Sequence, residues 1–76
     1  MSIALLIIKI LLAIPSLIEL IHEIMDIIHR QPAAAHGELY SDFGHILRKH
    51  LESGCHAEAC KNDLENFREH LIRKYA

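Results

Sequence analysis

Ile and Leu dominate the first third of the chain, between residues 3 and 28. The charged residues of this stretch, together with one serine, recur at steps of three, four or seven. Such steps place side chains along one side of an α-helix. The pattern therefore predicts an apolar helix with a single narrow polar stripe, which consists of Lys9, Ser16, Glu19, Glu23, Asp26 and Arg30.

A proline interrupts this helix near its middle. Because Pro15 cannot donate a backbone hydrogen bond, it either bends the helix or divides it into a helix over residues 2–14 and another that begins near Pro15. The helical pattern ends at Gln31, since a residue that precedes a proline disfavours α geometry. Residues 1–31 are thus expected to form an apolar helical segment.

Residues 38–76 have an amphipathic pattern that predicts a helical hairpin. Residues 32–37 form a connector of small residues or the frayed start of the next helix. The first helix of the hairpin is expected to stop at Ser53-Gly54, because glycine suits the left-handed cap. Its apolar face consists of Leu39, Phe43, Ile46, Leu47, His50 and Leu51.

The second helix of the hairpin is expected to begin at Asn62, after a connector or single turn over residues 55–61. Asparagine is a favourable N-cap, and Glu65 three residues later completes a pair that resembles a capping box. The apolar face of this helix consists of Leu64, Phe67, Leu71, Ile72 and Tyr75. The predicted fold is all-α: a long apolar N-terminal helix, kinked or split at Pro15, followed by an amphipathic helical hairpin.

The apolar segment needs a partner surface, because the residues after position 31 are expected to be too few to cover it. A chain of 76 residues is marginally stable unless it oligomerises or is otherwise supported. Three surroundings would bury the helix: a membrane that it spans, a membrane surface on which it lies, or the core of a soluble oligomer. The ridge expected to make this contact consists of Ile7, Leu11, Ile14, Ile18, Ile21, Met25 and Ile28.

Charge argues against a nucleic-acid partner. The net charge is −2, and the basic residues after Arg30 alternate with acidic ones instead of forming a patch. Histidine is unusually frequent, with seven residues, so the net charge changes sign when the histidines are protonated. Solvated surface histidines are the simpler interpretation, and a pH switch is the alternative.

Two cysteines and several histidines lie around the predicted hairpin. Cys55 and Cys60 could form a local disulfide in an oxidising compartment, whereas two free thiols are expected in the cytosol. With His50 and His56 they are also weak candidates for a zinc site, although the four residues between the cysteines exceed the usual spacing. No metal site and no cofactor are therefore expected.

The sequence contains no phosphate-binding loop, GxSxG or HExxH pattern, and no enzyme activity is expected. In layout alone the chain is similar to many small bacterial and phage membrane proteins, including holin-like and spanin-like ones. The leading hypothesis is a small accessory protein that associates with membrane lipid through residues 3–28 and binds itself or another protein. The alternatives are a soluble, cytoplasmic homo-oligomer that regulates or inhibits another protein, and a metal-stabilised hairpin.

Overall fold

The computed structural model describes residues 2–75, and these residues are all-helical. Met1 and Ala76, the outer ends of the two predicted segments, lie outside the described residues. The elements are α1 (Ile3–Ala13), a 3-10 turn (Pro15–Leu17), α2 (Ile18–His29), α3 (Ala33–Glu52) and α4 (Ala57–Tyr75). The all-α prediction is confirmed.

The apolar segment forms two helices that are separated at Pro15. Ser2 caps α1 by accepting a hydrogen bond from the Leu5 N–H over 3.3 Å. Pro15 occupies the first position of the 3-10 turn, where its missing N–H removes no helical hydrogen bond. The flanking Ile14 and Leu17 are both buried, so the turn is anchored in the core.

The helices pair in an interleaved order. The pairs in broad contact are α1 with α3, α2 with both α3 and α4, and α3 with α4. All four helices contribute to one core, which includes a stacked pair of rings, Phe43 and Phe67, with centroids 5.8 Å apart. The hairpin therefore covers the inner side of the apolar segment, and the expectation that it could not is wrong for that side.

The connections differ from the predicted boundaries at two places. α3 begins at Ala33, so most of the predicted connector 32–37 is helical; three consecutive alanines, the best helix formers, follow Pro32. α4 begins at Ala57, so Asn62 lies inside the helix and is not its N-cap. The earlier start places Cys60 in the core, one turn before Leu64.

The predicted stop at Ser53-Gly54 is confirmed. α3 ends at Glu52, and Gly54 has a φ of 97°, in the left-handed region that favours glycine. The Cys55 N–H donates to the His50 carbonyl over 2.8 Å, which is the hydrogen bond of a Schellman cap. This turn directs the chain into α4.

Among residues 2–75, none of the helices has both the length and the apolar character needed to cross a bilayer.

Candidate functional site

The most unusual surface of the molecule is an apolar one formed by α1 and α2. Leu12 is 79% exposed, Ile18 58% and Ile8 53%. Together with Leu5, which is 42% exposed, they cover the side of α1 and the start of α2 that face away from α3. We call this surface the α1–α2 face.

The face exists because α1 is apolar around most of its circumference. Leu6 and Ile10 are buried, which uses one side of the helix for packing on α3. Leu5, Ile8 and Leu12 follow one another at three- and four-residue steps and form a ridge on the outer side. Within α1 the only charged residue is Lys9, so nothing polar interrupts this ridge.

An apolar groove lies beside the ridge, between α1 and α2. It has a volume of about 330 Å³ and a buried floor residue, Ile21. Its apolar walls come from Ile7 and Leu11 on α1 and from Ile18 and Met25 on α2. A groove with these dimensions and walls can accept the apolar side of another helix.

The two edges of the face carry opposite charges. At the groove edge, Asp26 is exposed on α2, and His22 Nδ1 lies 3.7 Å from its Oδ2. At the opposite edge, beyond the ridge, Lys9 borders a cavity together with Arg48 and Glu52 of α3. The apolar band thus separates an acidic edge from a basic one.

The seven residues of the predicted ridge do not share one surface. Ile14, Ile21 and Ile28 are buried in the chain's own core and are not available for a partner, except that Ile21 forms the groove floor. The spacing of the ridge is that of one continuous helix, whereas α1 ends at Ala13 and α2 begins at Ile18. The other four ridge residues, Ile7, Leu11, Ile18 and Met25, do lie together, as the groove walls.

The six residues of the predicted polar stripe are all exposed. They are distributed over α1, the 3-10 turn, α2 and its cap, and therefore do not form one continuous stripe along a single helix. Glu23 has a specific partner, since Arg68 of α4 donates to its Oε2 over 3.0 Å. This ion pair connects α2 to α4 at the surface.

The Cys and His residues of the hairpin are separated by the fold. His50 is buried and directs its Nε2 to Asp63 at 2.6 Å, while Cys55 and Cys60 are free thiols. Within the described part of the chain, no three His, Cys, Asp or Glu side chains lie close enough together to hold a metal ion. The weak zinc candidates, among them His56, thus do not assemble into a site.

A cluster of three rings at the α2–α3 corner was missed by sequence reasoning. The rings of His29, His36 and Tyr40 lie pairwise 5.9–6.2 Å apart, and His36 Nε2 is 2.7 Å from the Gln31 carbonyl oxygen. Burial raises the pKa of Tyr40. The spacing of His36 and Tyr40, one helical turn apart, is the only signal of this cluster in the sequence.

The ridge of Leu5, Ile8 and Leu12 was also missed, although its signal is present. A helical projection that is restarted at Pro15 places these three residues on one side of α1, away from Leu6 and Ile10.

Comparisons with known protein families, with curated proteins and with solved structures find no match to this chain. The α1–α2 face is therefore the feature from which a function can be inferred.

Proposed function

We propose that this chain is a small, non-enzymatic helical binding module that acts through its α1–α2 face. The observation that carries the proposal is the concentration of exposed apolar side chains there: Leu5, Ile8, Leu12 and Ile18, beside an apolar groove. Single exposed apolar residues are common on protein surfaces, whereas a contiguous group beside a groove is typical of an interaction site.

The energetic argument supports the same conclusion. Full burial of a Leu or Ile side chain contributes roughly 1.5–3 kcal/mol. Leu12, Ile18 and Ile8 are each more than half exposed, so a partner that covered them would gain roughly 1 kcal/mol or more from each. The remaining groove residues add to this sum, which offsets part of the entropic cost of association.

Attachment to a membrane surface is the second candidate. The outer side of α1 is apolar, and the long Lys9 side chain at its edge can extend toward lipid head groups. The acidic residues of α2, Glu19 and Asp26, are unfavourable next to anionic lipid. This candidate therefore predicts binding to zwitterionic vesicles that added anionic lipid does not strengthen.

One pair of substitutions tests both candidates. The double variant Ile8→Gln, Leu12→Gln removes two of the three ridge residues without changing a buried residue. Ile72→Gln is the matched control, because Ile72 is 40% exposed but lies on α4. The readouts are molar mass by light scattering without detergent, and flotation with phosphatidylcholine vesicles.

We expect the wild-type protein and the Ile72 control to associate in at least one assay and the double variant to lose that association. Circular dichroism should show that the double variant keeps its helix content, since both positions are on the surface. A wild-type protein that stays monomeric and does not float with vesicles would contradict the proposed function.

A further inference from the structure

The α1–α2 face has a fixed order of features across its width. From α2 toward the far side of α1, these are the acidic edge with Asp26, the groove, the ridge, and the basic edge with Lys9. Groove and ridge are side by side and both apolar, and the edges have opposite charge. If a second copy is rotated by half a turn about an axis parallel to α1, its ridge lies opposite the groove of the first copy and its basic edge lies opposite the acidic edge. The surface is therefore complementary to itself.

The charged residues of the two edges, Lys9 and Asp26, also lie at similar positions along the helix axes. The chain turns back between α1 and α2, since residues from Ile18 to His29 of α2 line the groove opposite Ile7 and Leu11 of α1, so the end of α2 lies near the level of the start of α1. At 1.5 Å per residue, Lys9 lies about 9 Å and Asp26 about 4.5 Å from that level. The difference of about one helical turn is within the reach of a lysine side chain.

We propose that the occupant of the α1–α2 face is a second copy of this chain, related by a twofold axis parallel to α1. This inference rests on the proposed function, whose partner it names. In this arrangement the ridge of each copy fills the groove of the other, and Lys9 of each copy faces Asp26 of the other. Such a contact is isologous and closed, so it gives a dimer and no filament.

The charged groups around each edge are consistent with this pairing. On α2, Glu19 lies on the same side as Asp26, and Glu23 is already paired with Arg68. The other charged or titratable groups near Asp26 are Arg30, which borders a cavity together with it, and the histidines His22 and His29. Lys9 is flanked by one cation and one anion of α3, Arg48 and Glu52. At neutral pH the groove edge is thus acidic and the ridge edge has an excess of positive charge.

An antiparallel dimer and a lipid surface fit the same face less well. A twofold axis perpendicular to α1 would place Lys9 opposite Lys9 and groove opposite groove, which leaves both grooves unfilled. A lipid surface would leave the groove without a rigid ridge to fill it, and it offers no cation specific for Asp26. The order of charges therefore favours the parallel dimer.

Charge reversal tests the arrangement. Lys9→Glu and Asp26→Lys should each weaken the dimer about tenfold, because each one replaces two attractive contacts by two repulsive ones. The double variant Lys9→Glu, Asp26→Lys should restore the Kd to within about threefold of the wild-type value. Lys9 and Asp26 lie at opposite edges of one chain, so restoration cannot arise within a monomer.

Sedimentation equilibrium at low ionic strength, up to about 1 mM protein, measures the Kd; repetition at high salt should reduce the differences between variants. Glu38→Lys, on the exposed start of α3, is a control that should leave the Kd unchanged. A dimer that Lys9→Glu tightens, or whose Kd the double variant does not restore, would overturn the parallel arrangement. A monomer that binds vesicles would overturn the second copy as occupant and leave the proposed function standing, whereas a monomer that binds neither would overturn both.

Discussion

The imidazole of His50 and the carboxylate of Asp63 form the buried polar link between α3 and α4. Nε2 and Oδ2 are 2.6 Å apart, and the His50 side chain is only 5% exposed whereas that of Asp63 is 38% exposed. Asp63 also lies 3.5 Å from Lys49 Nζ. Asp63 thus gives the buried His50 ring a hydrogen-bond partner, without which the ring would be unpaired in an apolar core.

Removal of the carboxylate should destabilise the fold. Asp63→Ala leaves His50 buried without its partner, and we expect the free energy of unfolding to fall by about 1–3 kcal/mol. Urea denaturation followed by circular dichroism measures the change. Asp42→Ala, at an exposed position of α3, is the control and should cost less than about 0.5 kcal/mol. An Asp63→Ala protein as stable as this control would show that the pair contributes nothing.

The same pair should make stability depend on pH in the acid range. The hydrogen bond from His50 is the main cause that lowers the pKa of Asp63, and Lys49 acts in the same direction, against a partial burial that raises it. In an unfolded chain an Asp carboxyl titrates near about 3.9. Because the folded pKa is lower, the contribution of Asp63 is complete above that value and is lost as the pH falls through the folded pKa.

The difference in unfolding free energy between wild-type protein and Asp63→Ala should therefore be constant from pH 7 to about pH 5 and shrink below about pH 4. Urea titrations at several pH values give this difference directly. A difference that grows on acidification would mean that the carboxyl is not held in its ionised form by His50.

The two thiols should differ strongly in reactivity. Burial, together with the nearby Cys55 and Asp63, raises the pKa of the Cys60 thiol to about 11. Cys55 is only half-buried, at the turn after α3. Since the thiolate is the reactive form, one thiol should react with Ellman's reagent at pH 8 in the native protein and two in urea. Cys55→Ser should remove the fast reaction, and equal rates for both thiols in the native protein would contradict the burial of Cys60.

Two glycines of α3 should respond in opposite ways to the same substitution. A Cβ at Gly44 would lie 3.4 Å from Ile3 Cδ1 and 3.5 Å from Leu6 Cδ1, whereas Gly37 faces open space. Gly37→Leu should stabilise the protein by about 0.5–1 kcal/mol through helix propensity alone. Gly44→Leu should destabilise it by about 1–3 kcal/mol, because the larger side chain displaces α1. Thermal unfolding of the two variants separates these effects, and similar stabilisation by both would show that α1 does not pack closely on Gly44.

The local parts of the fold follow from the sequence. The faces of α3 and α4 are visible in the spacing of Leu39, Phe43 and Leu47 and of Leu64, Phe67 and Leu71, and all six residues are buried. Periodicity sets these faces, because each helix needs only one buried side. The cap at Gly54 was predictable because it also depends on local sequence: glycine readily adopts the left-handed backbone conformation that the cap requires.

The relations between helices were not predictable in the same way. Glu23 and Arg68 are 45 residues apart, and His50 and Asp63 are 13 apart, so their pairing depends on how the helices are arranged. The interaction ridge was predicted along one line from Ile7 to Ile28 because the spacing of these residues continues in register across Pro15. Pro15 indicates a bend or a division of the helix, but it does not indicate how the two parts are oriented relative to each other.

The interleaved order of helix pairs has a consequence for how the chain holds together. Two of the helix pairings, α1 with α3 and α2 with α4, join helices that are separated in the chain by another helix. Each of these two pairings must close a loop that contains another helix, and the entropic cost of that closure is offset only when the other helices are also in place. The molecule is thus expected to gain and lose its structure cooperatively, and a cut near Pro32 would leave two fragments without a native state of their own.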